Sequence, residues 1–180
     1  MKKIYLLLAD GFEEVEAFAP YDILYRSGAE IQFVSTMRQR AVFGAHATTI
    51  KADILLSDAK KDYDMVIIPG GSKAVETMQS NDAVLKFLES ASENGHYIAA
   101  ICAAPVILAN LGILRGKMAT CHPSFREKIT GAIISQRNVV VDGKIITACA
   151  MGSSLEFGLT LSRILFGKDE SEKIRAQIVY

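Results

Sequence analysis

Short apolar runs alternate along this chain with longer stretches whose apolar residues recur at helical spacing. The first run, KKIYLLLA at 2–9, reads as a β-strand, and DGFEEVEAFAPYDILYRSG after it reads as a helix. Val15, Ala19, Ile23 and Leu24 fall on one face of that helix, and Gly28 is placed to end it. AEIQFVS at 29–35 is a second strand, and DMVIIPGG at 64–71 is a third, halted by Pro69. NDAVLKFLESASENG at 81–95 returns to the helical pattern through Ala83, Leu85, Phe87, Leu88 and Ala91, with Gly95 as its stop. YIAAIC at 97–102 is the next strand, and AAPVILANLG is the helix after it. RNVVVDGKIITA at 137–148 predicts a hairpin turning at Asp142-Gly143. SSLEFGLTLSRILFG at 153–167 is a late helix, with Ser153 or Ser154 as N-cap and Glu156 near its first turn.

Strands and helices therefore alternate, and several strands are apolar throughout rather than on one face. Such strands belong in a parallel sheet covered by helices on both sides. The expected fold is a three-layer α/β/α sandwich, mostly parallel, with the hairpin as an antiparallel addition. The length of 180 residues suits a single domain over 1–180, and no repeat or linker divides it.

Charge narrows the partners. Twenty Lys and Arg balance twenty Asp and Glu, and no basic run exists, so neither nucleic acid nor an anionic membrane surface is favoured. The opening apolar run is cut short by Asp10 and the glutamates, which fits a first strand rather than a signal peptide. No run reaches the ~18 apolar residues of a membrane span. The three cysteines are an odd number, expected as free thiols in the reducing cytoplasm. Cys102, Cys121 and Cys149 form no C-x-x-C, so no zinc site is expected.

In an open α/β sheet, ligands sit outside the carboxyl ends of the strands. Three segments should arrive at that edge: ADGFEEVE, PGGS and CAAP. A sharp strand-to-helix turn at CAAP would lift Cys102 out of the sheet and set it at a helix N-terminus, which favours thiolate. Such a dipole supplies at most ~2 kcal/mol, against the ~4 kcal/mol needed to ionise nearly all of a thiol at neutral pH. A second partner is therefore required, unless Cys102 is simply a small buried hydrophobe. Glu16 is the candidate. It lies one turn into the first helix, whereas Glu13 and Glu14 suit the positive helix end and should face solvent. A partly buried carboxyl tends to hold its proton and could donate it to sulfur. His122, before Pro123, is of the type that serves cysteine enzymes as general base, and it also suits a structural role. His96 should lie exposed in a turn. Gly70 and Gly71 either form a simple turn or present a backbone N–H to the Cys102 site. With Ala103 N–H, Gly71 N–H would then make an oxyanion hole. The glycines match neither G-x-G-x-x-G nor a P-loop, so no nucleotide cofactor is expected.

Together ADGFEEVEAFAPYDILYRSG, YDMVIIPGG, AAICAAP, TCHP and GSSLEFGL resemble the ThiJ/PfpI family over nearly the whole chain. The resemblance implies a flavodoxin-like sandwich of the class I glutamine amidotransferase-like kind, usually homodimeric. It also implies a nucleophilic, easily oxidised Cys102 touched by Glu16, oxyanion donors at Gly71 and Ala103, and His122 nearby. Protease-like members place histidine directly after the cysteine. Ala103 stands there in this chain, so peptidase activity is not expected. Relatives of the human type carry arginines where this chain has His46 and Cys149, which makes its pocket rim less basic. The function implied is glutathione-independent removal of reactive aldehydes such as methylglyoxal, or of their glycated adducts. The alternative is a redox sensor or chaperone without turnover.

Overall fold

Every apolar run noted above becomes a strand in the computed structural model, which describes residues 1–180. In chain order the strands are β1 (Lys3–Leu8), β2 (Glu30–Ser35), β3 (Ala41–Phe43), β4 (Thr49–Lys51), β5 (Ile54–Leu55), β6 (Met65–Ile68), β7 (Tyr97–Ile101), β8 (Met118–Ala119), β9 (Ile133–Ile134), β10 (Val139–Asp142) and β11 (Ile145–Ala148). The helices are α1 (Glu14–Arg26), α2 (Ser72–Gln79), α3 (Asp82–Glu93), α4 (Pro105–Asn110), α5 (Ser154–Phe166) and α6 (Lys168–Gln177). Seven strands form one sheet in the order β10-β11-β7-β6-β1-β2-β5. All neighbours are parallel except β10 against β11, so the hairpin is the antiparallel addition. This is a flavodoxin-like α/β fold.

The order fixes where a site can form. From β1 the chain crosses to β2 on one side, whereas from β6 it crosses to β7 on the other. Right-handed crossovers then send the intervening helices to opposite faces. Accordingly α1 packs on α5 and α5 on α6, while α2 packs on α3 and α4. The strand order reverses between β1 and β6, and a crevice opens outside their carboxyl ends. The walls of that crevice are rigid, because Ile4–Leu8 of β1 and all of β6 are buried.

Several local details depart from the sequence reading. The inward face of α1 is Glu16, Ala17, Pro20, Ile23 and Leu24, whereas Val15 is exposed. Gly28 does end the helix. At φ +88° it lets its N–H reach Tyr25 O, and Ala29 N–H reach Leu24 O, which is the Schellman pattern. The hairpin pairs Asp142 with Ile145, so its two-residue loop is Gly143-Lys144, one position beyond the expected Asp142-Gly143. Leu88 and Ala91 of α3 are buried as expected, but Ala83 is exposed and Val84 takes the core position. His96 is half-buried rather than exposed, stacked on Tyr63 at 4.3 Å between ring centroids.

Candidate active site

Three strand exits build the site. After β1, Glu13 caps α1 by accepting the Glu16 N–H at 2.8 Å, which fixes the first turn. Glu16 is thereby placed on the buried face, 1% exposed, over the crevice. After β6, Pro69 stops the strand and the Gly70 N–H donates to Glu16 Oε2 at 2.8 Å. Gly70 has room for nothing more. A Cβ there would stand 2.4 Å from Glu16 Oε2 and 2.7 Å from Cys102 Cβ. Gly71 follows at φ +97°, with its missing Cβ 2.1 Å from Gly11 O.

After β7 the chain turns at Cys102, which takes φ +66°. A non-glycine residue there is strained by ~1 kcal/mol or more. The turn is held on both sides. Cys102 N–H donates to Ala148 O at 3.0 Å, and Cys102 O accepts from His122 N–H at 2.9 Å. Helix α4 starts only at Pro105 and is six residues long, so Cys102 precedes it rather than sitting at its first turn.

Electrostatically, the thiol and the carboxyl are coupled, each shifting the other. Burial pushes Glu16 up to about 7 and the Glu13 charge adds to it, while the Cys102 thiol, Gly70 N–H and Met151 N–H only partly offset it. Burial also pushes the Cys102 thiol up, and ionised Glu16 adds to this by charge and as a hydrogen-bond acceptor. The Ala103 and Gly71 N–H groups pull the other way. An ionised Glu16 therefore disfavours the Cys102 thiolate. The Gly71 and Ala103 N–H groups themselves donate to no backbone carbonyl.

The remaining expected residues divide. His122 is brought beside Cys102 through its backbone, but its ring Nδ1 accepts the Ser124 N–H at 3.3 Å and makes no hydrogen bond to the sulfur. Cys149 follows β11, the strand beside β7, and its thiol donates to Cys121 O at 3.5 Å. Buried Cys121 is pushed up to about 11 by that burial. His46 does not reach the sulfur. Its Nδ1 pairs with Glu14 Oε2 at 2.7 Å, and its N–H and the Thr48 hydroxyl donate to Glu14 Oε1 at 2.7 and 2.9 Å. Partial burial would raise Glu14, but these bonds outweigh it and take the carboxyl down to about 2. Glu14 is therefore a clamp between α1 and the β3–β4 loop, not the solvated acid expected. Glu13, Glu14 and His46 are the only three His, Cys, Asp or Glu groups converging closely enough to hold a metal, within 4.8 Å of one another. Their atoms are already occupied by the clamp and the α1 cap.

The chain as a whole is similar to known proteins. Residues 2–164 match the DJ-1/PfpI family, and the chain belongs to it. It is 35% identical to Protein DJ-1 homolog B of Arabidopsis thaliana over 99% of its own length, but spans only 41% of that protein. A protein of Pyrococcus abyssi named a deglycase is 29% identical, matching 83% of this chain and 91% of its own. A solved structure described as Toxoplasma gondii DJ-1, oxidized, superimposes with a TM-score of 0.96 at 33% identity, covering 100% of this chain and 99% of that one.

Proposed function

We propose that this protein is an enzyme that converts reactive α-dicarbonyls, or their adducts with thiols and amines, to hydroxy acids without glutathione. The observation that carries the reading is the meeting of Cys102, buried Glu16 and two N–H groups with no backbone carbonyl partner at one strand edge. Attack starts from the form in which Glu16 holds the proton. The carboxyl O–H then donates to sulfur, the repulsive charge is gone, and Gly71 and Ala103 N–H groups stabilise the thiolate. Cys102 Sγ adds to the aldehyde carbon of methylglyoxal, giving a hemithioacetal whose oxyanion those same N–H groups hold. Glu16 gives its proton to that oxyanion; its carboxylate then takes the proton of the former aldehyde carbon and returns it to the neighbouring carbon, while the hydroxyl proton passes to the former ketone oxygen, leaving a lactoyl thioester. Water cleaves the thioester and restores the thiol, so the net change is addition of one water to methylglyoxal. The deglycase name of the Pyrococcus abyssi relative supports the same substrate class. Ala103 after the cysteine, and the engagement of the His122 ring with Ser124, give no support to peptide hydrolysis.

Lactate formation from methylglyoxal in glutathione-free buffer tests the reading. Wild-type protein is expected to produce it and Cys102→Ala is not; equal rates would reject the proposal. A second reading, redox sensing through Cys102, draws on the description of the Toxoplasma gondii structure as oxidized. Its check is a gain of two oxygen atoms on Cys102 after mild peroxide.

The active assembly in this proposal is a homodimer in the cytoplasm. No helix is long and apolar enough to cross a membrane. Val15 and Phe18 on α1 are 44% and 43% exposed, and Met151 and Leu155 around the start of α5 are 51% and 41% exposed. Large apolar side chains at this density suit an interface.

A further inference from the structure

The opposite edge of the sheet holds a second concave feature that the chemistry above does not use. Tyr63 precedes β6 and His96 precedes β7, so both stand at the amino ends of strands whose carboxyl ends carry Gly70 and Cys102. A five-residue strand separates the two ends by roughly 16 Å. Between α3 and the 56–63 segment lies a cleft of about 510 Å³. That volume falls in the range of small-molecule sites.

Its lining is selective. Tyr63 stacks on Phe87 at 5.3 Å and on His96 at 4.3 Å, giving an aromatic wall. Lys61 and Lys86 also line the cleft, and no acidic residue does. Neither lysine takes part in any ion pair. Tyr63 is 7% exposed, and its hydroxyl makes no hydrogen bond within the protein but keeps access to solvent, so it is free to donate to a ligand. Asn94 adds a further polar group at the rim.

We propose that this cleft is a ligand site for a small aromatic carboxylate, whose ring lies against Phe87, Tyr63 and His96 while its carboxylate meets Lys61, Lys86 and the Tyr63 hydroxyl. An uncharged aromatic would leave the lysines unanswered, and a compact anion without a ring would leave the stacked wall in water. Burial holds the Tyr63 hydroxyl up at about 12, so it remains a donor throughout the neutral range. The site is independent of Cys102, and it stands or falls apart from the dicarbonyl reading.

The test is a titration of the isotope-labelled full chain with 2-naphthoate, followed by NMR at the amides of Asn94 and His96 and at the His96 ring. Saturable shifts are expected there, while the amides of Gly70 and Cys102 stay still and Cys102→Ala binds equally well. Lys61→Gln with Lys86→Gln is expected to weaken binding by ~10-fold, as is replacing the probe with neutral 2-naphthamide. Tyr63→Phe and cyclohexanecarboxylate should each bind more weakly than wild type with 2-naphthoate. No saturable shift at Asn94 and His96 up to ~5 mM probe would overturn the proposal. So would undiminished affinity in the double lysine variant, or undiminished affinity for the amide.

Discussion

Gly70 stands between the two groups the chemistry needs, and the closeness of its neighbours makes it the most sensitive single position. Gly70→Ala drives a methyl group into Glu16 Oε2 and Cys102 Cβ. Loss of most lactate formation and ~1–3 kcal/mol of stability are expected, read by product assay and urea unfolding. Near-wild-type values for both would mean that the Glu16–Cys102 contact is looser than described. The strain at Cys102 has its own check. At φ +66°, Cys102→Gly is expected to be more stable than Cys102→Ala by ~1 kcal/mol in urea unfolding. At this scale the sequence shows which residue types converge but not which way they point. Val15 is apolar and Glu16 is charged, so periodicity turns Val15 inward and the structure does the reverse. The Glu13 cap and the Gly70 N–H fix Glu16 in the interior, and both are contacts that no spacing encodes. Glu14 eluded sequence reasoning in the same way, because its partners His46 and Thr48 are more than thirty residues distant.

Among the elements, α1 and α5 set how far Glu16 reaches into the crevice. They cross at Gly158, where a Cβ would lie 2.7 Å from Ile23 Cδ1 and 3.0 Å from Pro20 Cα. The crossing is also pinned by a 2.8 Å hydrogen bond between the buried hydroxyls of Ser27 and Ser162. Gly158→Ala is expected to destabilise the fold by ~1–3 kcal/mol and to lower turnover by shifting α1, measured by thermal unfolding and lactate assay. An unchanged melting temperature would show that the helices separate freely. The long elements were legible because a buried strand and an amphipathic helix each leave a period in the chain. The two- and three-residue strands β3, β4, β5, β8 and β9 leave none. Nor does α6, which buries only Ser171 and Ile174 and so carries no apolar stripe. Helix α2 does carry Ala74, Val75 and Met78 inward, but eight residues fall short of a reliable helical window.

For the molecule as a whole, the buried acid leaves a signature in stability. The folded state raises Glu16 from 4.5 to about 7, so the folded protein holds a proton that the unfolded chain has released in between. Stability therefore falls as pH rises from about 4.5 to about 7. Glu16→Gln keeps the shape without the charge, so its melting temperature is expected to rise relative to wild type between pH 5 and pH 8 on the order of a few degrees. A constant difference across that range would place the proton elsewhere. Glu14 acts in the opposite sense: its contribution is present above the ordinary 4.5 and is lost as pH falls towards about 2. A mostly parallel sheet with an antiparallel hairpin was legible, because strands apolar on both faces need helices on both sides; the strand order was not. Nor was any surface for a second copy. If the exposed Val15 and Leu155 pack against a second copy, sedimentation should give a dimer for the wild type and a monomer for Val15→Lys with Leu155→Lys.

In the proposed mechanism the reactive form has the proton on Glu16 and the charge on sulfur. The rate of Cys102 alkylation by iodoacetamide against pH reports this most directly, with Cys102→Ala as blank. Wild type and Glu16→Gln are expected to titrate below the ~8.5 of an ordinary cysteine, and Glu16→Ala, which has no donor, clearly above wild type. A wild-type midpoint at or above ~8.5, or one that Glu16→Ala leaves unmoved, would contradict the shared-proton account.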